Sequence, residues 1–371
     1  MDAGSNRKNH FRYILGIETS CDETAAAVVK DGYQVLSNRV SSQTDVHALY
    51  GGVVPEIASR EHLKLLLPLV DKALEEAGIA YSDLDAVAVT QGPGLVGPLL
   101  VGVSFAKGLA YAMDLPLVPV NHTRAHLYAN FLVDAHLQEK DGHAGVPYDP
   151  QPVPPHDPKH SLQPDPQAGI PFPLISLVAS GGHTSIFYLY SHFEWELVGK
   201  TRDDACGESF DKIARALNLG YPGGPVIEKE ARKGSPTIDF PLPIIKGSYD
   251  FSFSGLKSAV LNDINQKRMK GESLNIPDIC ASFQSAAVKG LVENTLRAAQ
   301  DKQVHTLLLA GGVSANRTLR QAFLERNHKF AIKFPPLKYC TDNAAMIAAR
   351  GYEDLRRGTQ AGLDLNAVPN L

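Results

Sequence analysis

The chain of 371 residues is poor in sulfur and indole: four cysteines, four methionines and one tryptophan. Cys21, Cys206, Cys280 and Cys340 are scattered and form no C-x-x-C pair. That spacing reads as a reducing compartment with no cysteine-based zinc site, and a chain this long can bury its core without a disulfide scaffold. No uninterrupted apolar run approaches the ~18 residues of a membrane span. The opening MDAGSNRKNHFRYILGIETS has no apolar core ahead of a cleavage site and no long Arg/Ser-rich stretch. The expectation is a soluble, cytoplasmic protein with no membrane partner. A basic excess is missing too. Lys+Arg 36 against Asp+Glu 40 gives a formal charge of −4, so any nucleic-acid contact must come from a local patch or a partner. What is present, 44% hydrophobic and 20% charged residues, is ordinary globular composition, long enough for two or three domains.

Local patterns alternate between strand and helix. YILGIETSCDETAAAVV (13–29) reads as two strands joined by the polar turn TSCDET, with YQVLSNRV (33–40) as a further antiparallel partner. Residues 55–77 carry helical periodicity through Ile57, Leu65 and Leu69, and Gly78 ends the helix. DAVAVTQ (85–91) is a short buried strand, and GPGLVGPLLVG (92–102) opens a long helix. VPVNH (118–122) feeds another helix through Asn121. The alternation argues for an α/β fold. FPLISLVASGGHTSIFYLY (172–190) repeats the strand-turn-strand grammar of the start. HTLLLAGGVSANRTLRQAFLERN (305–327) is a strand, a Gly-Gly turn and a helix. Two halves that each open with a hairpin suggest an internal duplication with a cleft between. Residues 132–173 differ: they hold ten of the 25 prolines and four of the 13 histidines. This stretch reads as a polyproline-like loop whose histidines are scattered and solvent-exposed.

Five motifs could carry chemistry. His122 and His126 stand at i and i+4 on one helical face, where two imidazoles can grip one metal ion; two part-buried histidines bonded to backbone are the alternative. The pair lacks the glutamate of H-E-x-x-H, since Thr123 follows the first histidine. In VASGGHT, a strand ending in Ser180-Gly181-Gly182 lets backbone N–H groups approach an anion, or is a plain tight turn. TSCDET offers Asp22 and Glu23. RDDACGESFDKIAR (202–215) sets Asp203, Asp204, Glu208 and Asp211 at the start of an amphipathic helix. Because Glu208 and Asp211 share a face, a ligand hydroxyl or cation nearby is expected. YPGGP (221–225) follows, with a double glycine that permits a flat backbone surface. In LLLAGGVSANRTLR, Gly311 and Gly312 turn a strand into a helix without matching a dinucleotide or P-loop fingerprint. Finally, Asp342 or Thr341 caps a short apolar helix in CTDNAAMIAARG, or Asp342 projects as a functional carboxylate.

Taken in order, GIETSCDET, YGGVVPEIASREH, GPGLVGPLLVG, NHxxxH, VASGGHT, DDACGESFDK, YPGGP, FSFSGLKSAV, GGVSANRTLR and CTDNAAMIA resemble the bacterial TsaD family, the tRNA N6-adenosine threonylcarbamoyltransferases, once called glycoproteases. The resemblance covers about residues 13–131 and 172–351. It implies the actin/Hsp70/sugar-kinase fold, two duplicated α/β lobes with a nucleotide cleft. It divides the chain into a loose N-terminus (1–12), an N-terminal lobe (13–131), the proline-rich insertion (132–173), a C-terminal lobe (174–340), and a helix returning to the N-terminal lobe with a tail (341–371). It implies an acyltransferase that moves a threonylcarbamoyl group from threonylcarbamoyl-AMP to N6 of the adenosine 3′ of the anticodon, in tRNAs reading codons that begin with A, releasing AMP. His122, His126 and Asp342 match the family's metal ligands, for one iron ion or, alternatively, zinc. Val178, Ala179, Ser180, Gly181 and Gly182 match its phosphate turn, and Asp211, Gly224, Glu228 and Asn316 its nucleoside positions. Asp22 and Glu23 match its acidic turn and are the candidate catalytic residues. The implied partners are tRNA and TsaB-like and TsaE-like proteins.

Three departures stand out. Arg124-Ala125 replace the usual Glu-Gly between the histidines, Glu228 replaces a frequent Asp, and the 132–173 insertion is unlike most members. Lys257 and the run Lys267 to Lys270 are candidate RNA contacts. An ATPase or kinase of the same fold, a metalloprotease, and a non-catalytic scaffold of a tRNA-modifying complex are the alternative readings.

Overall fold

The computed structural model describes residues 11–135, 170–326 and 329–371. Most of the proline-rich segment, with its four histidines, and nearly all of the N-terminus expected to be loose lie outside these residues. The described residues group into two compact units. One holds 11–43, 53–135 and 342–371; the other holds 44–52, 170–326 and 329–341. Residues 44–52, opening with α1 (Thr44–Ala48) and expected with the N-terminal lobe, thus group with the second unit, where the Arg215 guanidinium donates to the Gly51 carbonyl.

In the first unit β1 (Tyr13–Glu18), β2 (Glu23–Lys30) and β3 (Gln34–Ser42) form an antiparallel meander. β4 (Ala86–Gly92) and β5 (Leu117–Asn121) extend the sheet in parallel on the far side of β1, and β6 (Val133–Asp134) joins β3. The last strand lies inside the segment read as loop. Parallel neighbours need crossovers, supplied by α2 (Pro55–Ala77) and α3 (Val96–Met113). In the second unit β7 (Leu174–Ala179), β8 (Thr184–Leu189) and β9 (Trp195–Lys200) form the meander. β10 (Thr306–Ala310) and β11 (Ala331–Lys333) add in parallel. The sheet orders are β5-β4-β1-β2-β3-β6 and β11-β10-β7-β8-β9. Strand for strand, β1 to β5 and β7 to β11 have one topology, so the duplicated α/β fold is borne out.

Small residues let the first unit close tightly on its sheet. β2 reads ETAAAVVK and is buried throughout its middle, with α2 and the C-terminal helix α10 (Ala344–Arg356) both packed on it. A Cβ on Gly16 of β1 would lie 2.1 Å from the Ala344 carbonyl oxygen, so any larger residue there would lift the start of α10 off the strand. α2 begins with Pro55 and ends at Gly78, whose φ of 67° is left-handed. Its buried stripe is Ala58, His62, Leu66, Val70 and Ala73, one position beyond the expected Ile57, Leu65 and Leu69. The reason is His62: a polar residue inside the stripe broke the apolar pattern. Each fully buried aliphatic side chain here contributes about 1.5–3 kcal/mol.

α3 buries Pro98, Leu99, Gly102, Val103, Ala106 and Ala110 on one side. By length and composition it could cross a membrane, a test that core helices also pass. Gly102 serves packing: a Cβ there would meet the Thr19 hydroxyl at 2.3 Å.

The second unit's core gathers α5 (Cys206–Ala216), α6 (Gly223–Ala231), α7 (Phe253–Met269) and α8 (Ile276–Asp301) around Phe210, Phe251, Phe253 and Phe283. The Phe210 and Phe283 rings meet edge to face at 4.8 Å. The acidic run at 202–211 is part of this frame. Asp203 accepts from the Phe253 and Ser254 N–H groups at the start of α7. Asp204 pairs with Lys212 and Lys257. Glu208 pairs with Lys212 at 2.8 Å, and Asp211 accepts from the Gly223 N–H at 2.7 Å. Lysine and backbone thus relieve part of the repulsion between Glu208 and Asp211 that pointed to a ligand hydroxyl or cation. Lys257, offered as an RNA contact, is likewise committed to Asp204, and Lys267 pairs with Asp263 at 2.8 Å. All four cysteines are free thiols.

Candidate functional site

α4 (His122–Tyr128) starts where β5 ends. Its cap is Asn121, whose side chain accepts from the Arg124 N–H at 3.0 Å. This cap makes His122 the first helical residue, and one turn later His126 falls on the same face. Asp342 arrives from the far end of the chain, just before α10. The expected cap role is corrected by one residue: Asn343 caps α10, accepting from the Met346 N–H at 3.0 Å. Asp342 is thereby left outside the helix with its carboxylate on the histidines.

The three side chains converge. His122 Nε2 and His126 Nε2 are 3.2 Å apart. Asp342 Oδ1 lies 3.4 Å from the first and 3.2 Å from the second. Donors about 2.0–2.1 Å from a common ion in tetrahedral directions stand roughly 3.3–3.4 Å apart, so the triangle has the size a zinc- or iron-like ion needs. His₂-carboxylate is a donor set for either metal.

A residue passed over in the sequence stands behind His122. Glu18 ends β1, is fully buried, and accepts from His122 Nδ1 at 2.9 Å. Burial alone would lower the pKa of His122; the carboxylates of Asp342 and Glu18 outweigh it and hold that pKa well above 6.5. Burial opposes ionisation of Asp342 as well, but the two imidazoles pull its carboxyl well below its ordinary range. Glu18 is held low in the same way by His122.

The acidic turn lies in this unit too. Asp22 is buried, and burial together with the charges of Asp342 and Asp22 pushes the Glu23 carboxyl well above its ordinary range. His62, in the motif ASREH, fixes the turn. Its Nε2 lies 3.1 Å from the Cys21 carbonyl oxygen and its Nδ1 2.7 Å from the Thr24 hydroxyl. The Gln43 N–H donates to the Asp22 carbonyl at 3.0 Å. Neither Glu18 nor His62 gives a local signal, since their partners are 104 and 41 residues away in sequence.

The second unit holds the other candidates. Val178 and Ala179 are buried in β7, so only their backbone is on offer. The turn Ser180 to His183 is closed by the Ser180 N–H donating to the His183 carbonyl at 2.8 Å. Gly207 at the start of α5 donates to the Ser180 carbonyl at 3.1 Å. Gly181 and Gly182 are exposed, and a Cβ on either would meet nothing within 4 Å. Gly224 is equally open. The carboxylate of Asp211 holds the neighbouring Gly223. Asn316 caps α9 (Arg317–Glu325) by accepting from the Leu319 N–H at 2.9 Å, while its amide donates to Gln284 at 2.9 Å. Glu228 accepts from the Arg317 N–H at 3.1 Å. Glu228 and Asn316, offered as ligand contacts, thus share the N-terminus of α9.

Comparison with known proteins agrees with this geometry. The family model described as TsaD, tRNA N6-adenosine threonylcarbamoyltransferase, matches residues 34–140 and 158–349. The stretch it skips lies within the proline-rich segment. A tRNA N6-adenosine threonylcarbamoyltransferase of Geobacillus kaustophilus is 48% identical over 99% of both chains. That of Symbiobacterium thermophilum is 50% identical over 96% of both. Among solved structures, HypF of T. kodakarensis matches with TM-score 0.57 at 15% identity, over 96% of this chain and 49% of its own, a likeness of fold alone. With both hairpin units in place and the His-His-Asp triangle built in the first, a match over nearly the whole length leaves one assignment: the chain belongs to the TsaD family of tRNA N6-adenosine threonylcarbamoyltransferases.

Proposed function

We propose that this chain transfers the threonylcarbamoyl group of threonylcarbamoyl-AMP to N6 of the adenosine 3′ of the anticodon, in tRNAs reading codons that begin with A. The observation that carries the reading is the convergence of His122 Nε2, His126 Nε2 and Asp342 Oδ1 in a member of this family. These three residues would hold one divalent ion, iron before zinc, which when bound supplies a Lewis acid and a template for the acyl oxygens.

The adenine amine is a weak nucleophile because its lone pair is delocalised into the ring. The mixed anhydride compensates with a good leaving group. The new bond joins N6 to the carbamoyl carbon, the bond from that carbon to the bridging phosphate oxygen breaks, and AMP departs with that oxygen. One N6 proton must also leave, and Asp22 and Glu23 of the acidic turn are the candidates to take it. In the second unit, the backbone N–H groups of Gly181 and Gly182 take the phosphate charge as AMP leaves, and Asp211, Gly224, Glu228 and Asn316 frame the nucleoside. The target base lies in a single-stranded loop, so taking it out of its stack costs only a few kcal/mol.

At net charge −4 the chain relies on companions to hold tRNA. A TsaB-like protein has a surface to meet: Leu63 and Leu67 of α2 are 69% and 53% exposed, and Val96 and Leu100 of α3 are 56% and 41% exposed. A TsaE-like protein completes the set.

The test is reconstitution with threonine, bicarbonate, ATP, the companion proteins and unmodified tRNA. Threonylcarbamoyl-adenosine and AMP are expected, and both are lost with His126→Ala. Release of ADP in place of acyl transfer would favour a kinase, and multiple turnover by the chain alone would remove the need for companions.

A further inference from the structure

The two histidines of the triangle are not equivalent. Behind His122, Glu18 is gripped by donors from three elements. Its Oε2 accepts from His122 Nδ1 at 2.9 Å and from the Thr90 hydroxyl of β4 at 2.6 Å, and its Oε1 accepts from the Ser20 N–H. Both oxygens are therefore fixed, and so is the plane of the carboxylate. Behind His126 the buried Nδ1 has no hydrogen-bond partner among the described residues.

An imidazole in a metal site must present a lone pair on one nitrogen, and the hydrogen bond at the other nitrogen decides which. Glu18 can only accept, so it keeps the proton on Nδ1 and leaves Nε2 bare toward His126 and Asp342. The Ser20 hydroxyl, 3.3 Å from the same Nδ1, is a neutral and weaker acceptor. With Asp342, Glu18 places a carboxylate on each side of His122.

We propose that Glu18 is a positioning residue of the metal centre: it selects the tautomer of His122 and makes that histidine the anchored ligand, while His126 is the yielding ligand. This rests on the metal reading of the triangle above.

The test uses the full chain, stripped of metal and titrated with zinc against a competing chelator, with the cobalt-substituted spectrum and the melting temperature in EDTA recorded alongside. Glu18→Gln keeps the shape but puts an amide N–H₂ where an acceptor is needed. A loss of about 10- to 100-fold in zinc affinity is expected, with a changed cobalt spectrum. Thr90→Val removes one of the donors that hold Glu18 and is expected to weaken zinc in the same direction by a smaller factor. Asp342→Asn is measured in parallel. If it binds zinc like the wild type, the metal reading fails and Glu18 falls with it. If Asp342→Asn loses zinc while a folded Glu18→Gln keeps wild-type affinity and spectrum, only the role of Glu18 is overturned. Should Glu18→Gln fail to fold, Thr90→Val decides: wild-type affinity overturns the proposal, and weakened affinity at unchanged melting temperature supports it.

Discussion

Between β1 and β2 the chain runs Thr19-Ser20-Cys21-Asp22; between β7 and β8 it runs Ser180-Gly181-Gly182-His183. The strands around these turns pair alike: each hairpin is antiparallel, and its first strand runs parallel to a buried third strand on the other side. The chemistry is opposite. The first turn is flanked by Glu18 and Glu23 and tied down by His62 and Gln43; the second has no carboxylate and leaves two glycines open. On the proposed function, one strand order serves a cation in one unit and an anion in the other. The choice lies in a handful of turn residues and in the helix that stands behind them, α4 with its histidines in one unit and the glycine-started α5 in the other.

If the turns are this separate, damage to one should spare the other. His122→Ala is expected to cost more than the roughly 100-fold that an outer partner costs in metal affinity, while AMP titrated calorimetrically still binds. Loss of both together would break the comparison. Gly207→Ala attacks the second turn from beneath. Its Cβ would lie 2.7 Å from the Ser180 carbonyl oxygen, and a stability loss of about 1–3 kcal/mol is expected in thermal or urea melts, with zinc affinity unchanged. Gly182→Asp writes the first turn's charge into the second. With space free around that Cβ, the melt should hold, while AMP affinity falls about tenfold, which is 1.4 kcal/mol. Equal AMP affinity in the variant would remove the turn from the phosphate site.

The smallest effect is in acid. Lys212 and Lys257 hold the Asp204 carboxyl below its ordinary 3.8 against the opposing effect of burial. A carboxyl lowered on folding stabilises above its unfolded pKa, and that contribution fades as pH drops from 3.8 through the lowered folded value. Asp204→Asn should flatten this part of the stability-pH curve and leave the neutral-pH metal affinity alone.

What could be read from the sequence was what is local. The hairpins at 13–30 and 174–189, the helix over 55–77 with its Gly78 stop, and the Asn121 cap all depend on residues within a few positions of one another. The histidine pair was visible as a spacing, but its third ligand was tied to it by family resemblance alone, because nothing in residues 122–126 points to Asp342. Glu18 was hidden because its partners come from β4 and α4. Asn343 was missed as the cap because Asp342 is as good a capping residue, and only the packing of Ala344 on Gly16 settles which of them begins the helix. In the acidic run 203–211, charge crowding suggested a ligand; lysines and backbone N–H groups brought in by the fold answer it.

Gly16 has one more consequence. The strand that begins the first sheet has no side chain at that position because the helix that ends the chain rests on it, and Arg350 of that helix reaches Tyr128 across 222 residues. During synthesis, β1 to β5 and both histidines leave the ribosome long before Asp342 does. A nascent chain stopped at Thr341 would own two of the three side chains of the triangle and an uncovered face of β1, and would stay so until α10 emerges. Assembly of the triangle and closure of the first sheet are thereby one event in the life of the chain.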